Sequence, residues 1–228
     1  MSDPKTLGLI GGLSWESTAE YYRLANETVH SRLGGLHSAR VLVNRLDFAE
    51  IQALQDSRDW DALGARLADE ADRLAKAGAD VVLLCSNPLH VVADRIAEAI
   101  EVPLVHIADT AAGAAQDSGM KQIGLLGTAF TMNEDFYRAR LEGHGLTVHT
   151  PAKSAVGEVN RIIYDELCVG IVTEKSRRYF RSVMQDLVDA GAEGIILGST
   201  ELELLITKDD ADVPLFPTTR LHVEAALN

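Results

Sequence analysis

Two stretches of this chain are near copies. Residues 77–87 read AGADVVLLCSN, and residues 190–200 read AGAEGIILGST. Each runs Ala-Gly-Ala-acid, then an apolar run of strand length, then a serine and a small polar residue, so that Ser86 falls on Ser199. Two further landmarks repeat in the same order. TLGLIGG (6–12) matches QIGLLGT (122–128) and aligns Gly8 with Gly124; VPLV (102–105) matches VPLF (213–216) and aligns Pro103 with Pro214. The offsets are 116, 113 and 111 residues. Three landmarks at nearly one spacing imply an internal duplication, which constrains the fold before any single element is assigned.

Between the landmarks, apolar runs alternate with amphipathic stretches. Strands are predicted at 6–12, 39–48, 81–85, 102–107, 122–128, 146–150, 194–198 and 213–216. A helix is expected to start within SWESTAEYYRL, where Ser17 and Glu20 form a capping-box pattern; Thr131 and Glu134 form another ahead of Phe136, Tyr137 and Leu141. From Trp60, the positions Leu63, Leu67, Ala71 and Leu74 mark a helical stripe. Further helices are expected over 90–100, 156–167 and 176–190. Such alternation predicts an α/β protein with two mostly parallel sheets, one per repeat. The expected division is 1–105 plus 212–228 for one domain and 106–211 for the other.

Parallel α/β sheets bind ligands beyond the carboxyl ends of their strands. Gly11-Gly12, Ser86-Asn87, Thr128 and Ser199-Thr200 all fall there. If the two units face each other about a pseudo-twofold axis, Ser86 and Ser199 approach one small molecule from opposite sides. That placement suits a 1,1-proton transfer, in which one group removes a proton from a carbon and the other returns one to its far face. Glycine turns and helix N-termini would offer backbone N–H groups to a carboxylate.

The net charge of −13 argues against nucleic acid and anionic membrane as partners, since both need a basic face. No signal-peptide pattern and no run of about 18 apolar residues is present. The only cysteines, Cys85 and Cys168, have no metal-ligand spacing, and a reducing cytoplasm is expected. Cys85 adjoins Ser86 on a strand, so it should point the opposite way, into the core; Cys168, in the apolar stretch IIYDELCV, should be packed too. GLIGG lacks the spacing of a dinucleotide loop, and the seven histidines show no metal motif. His106 and Asp109 are a candidate structural pair, and Arg177, Arg178 and Arg181 are expected to pair with nearby acids.

The segments GLIGGLSWEST (8–18), RLGGLHSARV (32–41), LLCSNPLH (83–90), LGTAFTMNEDFYRARL (126–141), IIYDELCVG (162–170) and LGSTELELL (197–205) resemble the aspartate/glutamate racemase family, in its aspartate-racemase-like branch. The resemblance covers nearly the whole chain in the family's order. It implies two flavodoxin-like domains with the active site between them, a homodimer, and catalysis with no pyridoxal phosphate, metal or other cofactor. Its two acid/base positions map onto Ser86 and Ser199, where the family usually carries thiols. Asn87, Thr128 and Thr200 match the substrate-binding positions, with Ser14 and Gln55 as weaker candidates; Glu201 also matches. Pro88 departs from the family's Asn-Thr motif and removes a hydroxyl and a backbone donor together.

A serine hydroxyl is a far weaker acid than a thiol, whose ordinary pKa is near 8.5, and it needs an adjacent base. Glu201, two residues after Ser199, and His90, four after Ser86, are the candidates. The expected function is a cofactor-independent racemase-like enzyme for aspartate or glutamate. The alternatives are an isomerase, lyase or decarboxylase for another small carboxylate, or a non-catalytic dicarboxylate binder.

Overall fold

A computed structural model describes residues 5–228. The chain divides into two units, the first running to His106 and regained at His222–Asn228, the second comprising Ile107–Leu221. The return to the first unit was expected from residue 212. It comes later because the last strand completes the second sheet and keeps the chain through Leu221 with that unit.

The first unit contains β1 (Thr6–Gly11), α1 (Trp15–Leu33), β2 (Arg40–Arg45), α2 (Phe48–Asp56), α3 (Trp60–Lys76), β3 (Val81–Leu84), a 3-10 turn (Pro88–Val92), α4 (Ala93–Glu98) and β4 (Leu104–Val105). The second contains α5 (Ile107–Asp117), β5 (Gln122–Gly127), α6 (Ala129–Asn133), α7 (Asp135–Gly143), β6 (Thr147–His149), α8 (Lys153–Asp165), a 3-10 turn (Leu167–Val169), α9 (Glu174–Asp189), β7 (Gly194–Gly198), α10 (Leu202–Leu205), a 3-10 turn (Lys208–Asp210) and β8 (Leu215–Pro217). The closing helix α11 (Thr218–Ala226) starts in the second unit and ends in the first.

Both sheets are parallel and share one strand order, β2-β1-β3-β4 in the first unit and β6-β5-β7-β8 in the second. This is the 2-1-3-4 start of a flavodoxin-like sheet. The duplication extends to side-chain packing. A Cβ on Gly8 would meet Ala79 Cβ at 2.8 Å and Leu74 Cβ at 3.2 Å; one on Gly124 would meet Leu187 at 3.1 Å. Leu74 on α3 and Leu187 on α9 are 113 residues apart, the offset of the two serines. In each half a strand glycine lets a helix leucine close onto the sheet.

Apolar side chains cover both faces of each sheet, as parallel sheets require. The α3 stripe Leu63, Leu67, Ala71 and Leu74 packs on Ile10, Val82 and Leu84. On the other face, Tyr21, Leu24 and Ala25 of α1 pack on Leu7, Leu9, Val81 and Leu83, joined by Val223 and Ala226 of α11. In the second unit, Phe180, Val183 and Met184 of α9 pack on Leu126, Ile195 and Leu197, while Tyr137 and Leu141 of α7 join Ile123, Leu125 and Ile196 opposite. Fully burying each such leucine is worth about 2 kcal/mol.

Several local expectations are corrected. Ser14, not Ser17, caps α1, with Ser17 N–H donating to Ser14 Oγ at 3.2 Å. Thr128, not Thr131, caps α6, and Glu134 enters α7 without a side-chain capping bond. The strand read over 39–48 stops at Arg45, because Asp47 accepts from Ala49 N–H at 3.0 Å and starts α2. The helix expected from His90 opens as a 3-10 turn from Pro88, whose missing N–H and fixed φ suit a first turn. The alanine-rich α5 was not foreseen.

Candidate functional site

The third strand of each sheet carries the repeated serine. In the first unit, Cys85 N–H still donates to Ile10 O at 3.0 Å, so the ladder continues one residue past β3. Cys85 is fully buried among the Tyr21 and Leu24 side chains, and burial alone pushes its thiol pKa far up. The core placement expected from strand alternation holds, and this thiol is inert. Ser86 then turns tightly, its N–H donating to Leu84 O at 2.8 Å. Ser86 and Asn87 are both buried.

His90 does not reach Ser86 as a base for its hydroxyl. Its Nδ1 lies 2.6 Å from the Ser86 carbonyl oxygen. No hydrogen bond runs from the Ser86 hydroxyl to another described residue.

Ser14 and Gln55 are buried in the same unit. Ser14 sits at φ 32°, a strained conformation for a non-glycine residue, where it caps α1 at the end of β1. Gln55 lies on α2, after the edge strand β2. The Gly12 amide, expected to be open to a ligand, donates to Thr18 Oγ1 at 2.8 Å. Gly12 itself has φ 81°, and a Cβ there would lie 2.2 Å from Leu46 O.

The second unit is built differently. Gly127 pairs with Gly198 across β5 and β7, so Thr128 and Ser199 follow at the same level. Thr128 Oγ1 accepts from Thr131 N–H at 3.3 Å and lies 3.1 Å from Thr131 Oγ1. Ala129 N–H donates to Asn160 Oδ1 at 2.8 Å. Ser199 Oγ donates to Glu201 Oε2 at 2.8 Å, and Thr200 Oγ1 donates to the same oxygen at 3.1 Å. Ser199, Thr200 and Glu201 are all buried. The i, i+2 spacing therefore does bring a carboxylate onto the serine. Cys168 sits in the 3-10 turn, partly buried against the core rather than within a helix. Burial, and then the Glu201 charge, push its thiol pKa far up.

Elsewhere, Arg177 Nη1 and Arg181 Nε bind the two oxygens of buried Asp210 at 2.8 and 2.6 Å, as expected for that arginine cluster. Asp109 pairs with Arg140 and His144. Among the described residues no group of His, Cys, Asp and Glu could hold a metal ion, and no helix is long and apolar enough to cross a membrane.

The sequence matches the profile of the Asp/Glu/Hydantoin racemase family over residues 10–226. The chain belongs to that family. Within it, an Asp/Glu racemase candidate from Yersinia pestis is 49% identical with a TM-score of 0.90, covering 98% of this chain and 97% of the other. An aspartate racemase homologue from Pyrococcus horikoshii is 32% identical with a TM-score of 0.86, covering 97% of each chain. The glutamate racemase of Hydrogenobaculum is 28% identical over 139 residues, 60% of this chain and 52% of that protein. The match thus spans about half the length of that relative.

The shared strand order puts the duplicated serine stretch at the same place in each sheet. What sequence reading missed was the local wiring. The His90 bond to a backbone oxygen has no sequence signature, and the Thr128–Thr131 pair was hidden behind a misplaced capping box.

Proposed function

We propose that this protein is a cofactor-independent racemase-like enzyme for small acidic amino acids, aspartate or glutamate, with Ser86 and Ser199 serving the two faces of one chiral carbon. Asn87, Thr128 and Thr200 bind the substrate's polar groups, with Ser14 and Gln55 at the edge of the site. The observation that carries the reading is the 2.8 Å bond from the Ser199 hydroxyl to Glu201. As Ser199 Oγ takes the Cα proton, its own proton passes to the Glu201 carboxylate. Ser86 then donates its hydroxyl proton to the opposite face, and solvent closes the cycle by giving a proton to Ser86 and taking one from Glu201.

The chemistry is handicapped. A serine hydroxyl is a far weaker acid than a thiol and depends on a neighbour to take its proton. Turnover is therefore slow. Deuterium wash-in with retention outruns inversion, because only one serine has a base. The same reading takes the enzyme as a cytoplasmic homodimer. Both cysteines are free, and Trp15, Tyr22 and Val43 offer exposed apolar surface in the first unit.

The test is Cα–H exchange of L- and D-aspartate and of L- and D-glutamate in heavy water. Ser199→Cys raises the rate by roughly 100-fold, the scale of a competent general base. No exchange even with both serines changed to Cys, while calorimetry still detects dicarboxylate binding, would replace the racemase with a binder.

A further inference from the structure

Three imidazoles and a phenol lie buried together in the first unit: His90, His106, His222 and Tyr21. The His90 ring centroid is 4.6 Å from that of His106 and 5.7 Å from that of His222. In an α-helix the Ser86 carbonyl would accept from His90 N–H. Here the winding is tighter, and His90 N–H goes instead to Asn87 O at 3.2 Å. The His90 ring takes over the Ser86 carbonyl, with Nδ1 at 2.6 Å. A carbonyl only accepts, so Nδ1 carries the hydrogen.

The ring is held in turn by its neighbours. His222 Nε2–H donates to Val105 O at 2.8 Å, and its Nδ1 accepts from Tyr21 Oη at 2.7 Å. Both of its nitrogens are committed, which fixes its plane. Burial first, and then repulsion from His90, push the His222 pKa down to about 3 against the opposing pull of the Val105 carbonyl. His222 therefore stays neutral. With Ser86 N–H on Leu84 O at 2.8 Å, the peptide groups on both sides of the Ser86 Cα are tethered, which sets where its hydroxyl can point.

We propose that His90 is a positioning residue that aims Ser86 by holding its carbonyl through Nδ1–H, against a buried wall of His106, His222 and Tyr21. The catalytic meaning of this tether rests on the racemase reading; the tether itself does not. Asparagine can place an amide nitrogen where Nδ1 sits, whereas glutamine places one a bond farther out and leucine has none.

With 15N-histidine in the full-length protein, His90 is expected to be the Nδ1–H tautomer with a slowly exchanging ring proton. Amide exchange in the peptide spanning 83–92 stays near parental in His90→Asn. It becomes roughly 10-fold faster in His90→Gln and His90→Leu, the scale of one buried hydrogen bond. In the Cα exchange assay, His90→Gln lowers kcat roughly 30- to 100-fold, as a small misplacement of a reacting group does, with KM within about two-fold, and His90→Asn restores it.

An Nε2–H tautomer, His90→Asn exchanging as fast as His90→Leu, or equal kcat in the Asn and Gln variants would each overturn the proposal. Absence of any Cα exchange would sink the racemase reading instead, and the tautomer and amide data would still decide the tether.

Discussion

At Ser86 a ring nitrogen holds the peptide carbonyl from 2.6 Å, and at Ser199 a carboxylate holds the hydroxyl from 2.8 Å. The two serines occupy equivalent places in equivalent sheets, yet one is restrained through its backbone and the other through its hydroxyl. The strands beside them differ as well. β1 leaves its sheet through Gly12 at φ 81° and reaches its helix two residues later, at the cap Ser14. β5 passes straight into Thr128, which is itself the cap of α6. Duplication preserved the frame, meaning strand order, glycine–leucine packing and the serine positions. The polar wiring at the strand ends then diverged. A group bonded through its oxygen has a neighbour to take its proton; one bonded through its backbone is aimed and has no such neighbour.

That asymmetry can be broken most directly at Glu201. Glu201→Gln keeps a hydrogen-bonding side chain but removes the base, and Cα exchange should fall about 100-fold while the melting temperature changes little. Faster amide exchange in the peptide spanning 83–92 of Glu201→Gln, matching that of His90→Gln, would mean that the two halves are not divided into base and aim.

The next effect is on stability and belongs to the second unit alone. Asp210 is buried and holds Arg177, Arg181 and the Thr207 backbone. Burial opposes its ionisation, but the Thr207 amide, the arginines and the Thr207 hydroxyl outweigh it and keep the carboxyl below its usual range. A depressed carboxylate pKa stabilises the fold above the unfolded value near 3.9 and ceases to do so as pH falls through the folded value. Asp210→Ala should cost about 2 kcal/mol at neutral pH by denaturant melting, less than a fully buried pair because Arg181 is half exposed. The loss should shrink towards zero in acid.

Smaller still is the contrast between the paired glycines. Gly8→Ala drives a Cβ onto the Ala79 Cβ at 2.8 Å, whereas at Gly124 the nearest atoms, Leu187 Cδ1, Ile195 Cγ1 and Leu187 Cβ, lie farther off at 3.1, 3.2 and 3.3 Å. Overpacking should cost about 2–3 kcal/mol at Gly8 and about 1 kcal/mol at Gly124, read by chemical denaturation. Tyr21→Phe, removing one bond to His222, should cost about 1 kcal/mol.

How much was legible follows the same division between frame and wiring. β1, β3, β5 and β7 are short apolar runs bounded by glycine, and the VPL segments mark β4 and β8, so register could be read by aligning the halves. The α3 stripe was visible because its face is buried at every third or fourth position. Four helices were not: α2, α5, the short α10 and the closing α11. α2 follows a strand with only Asp47 to announce it, and α5 is a run of alanines whose small side chains give little periodic contrast. The 3-10 turn after Pro88 shifted the His90 ring onto a carbonyl instead of a hydroxyl, which residue spacing cannot distinguish. Glu201 was within reach of sequence reasoning because two residues is a single local step. Thr131 was not, because its partner depends on where α6 begins.

The closing helix has a temporal consequence. Tyr21 and His222 are bonded across 201 positions of chain, and Val223 and Ala226 fill the same layer as Leu7 and Leu9. A ribosome therefore finishes the second unit before it delivers the last piece of the first. The nascent N-terminal half keeps its α1 face uncovered until residues 222–226 have emerged, and apolar surface exposed for that long favours aggregation.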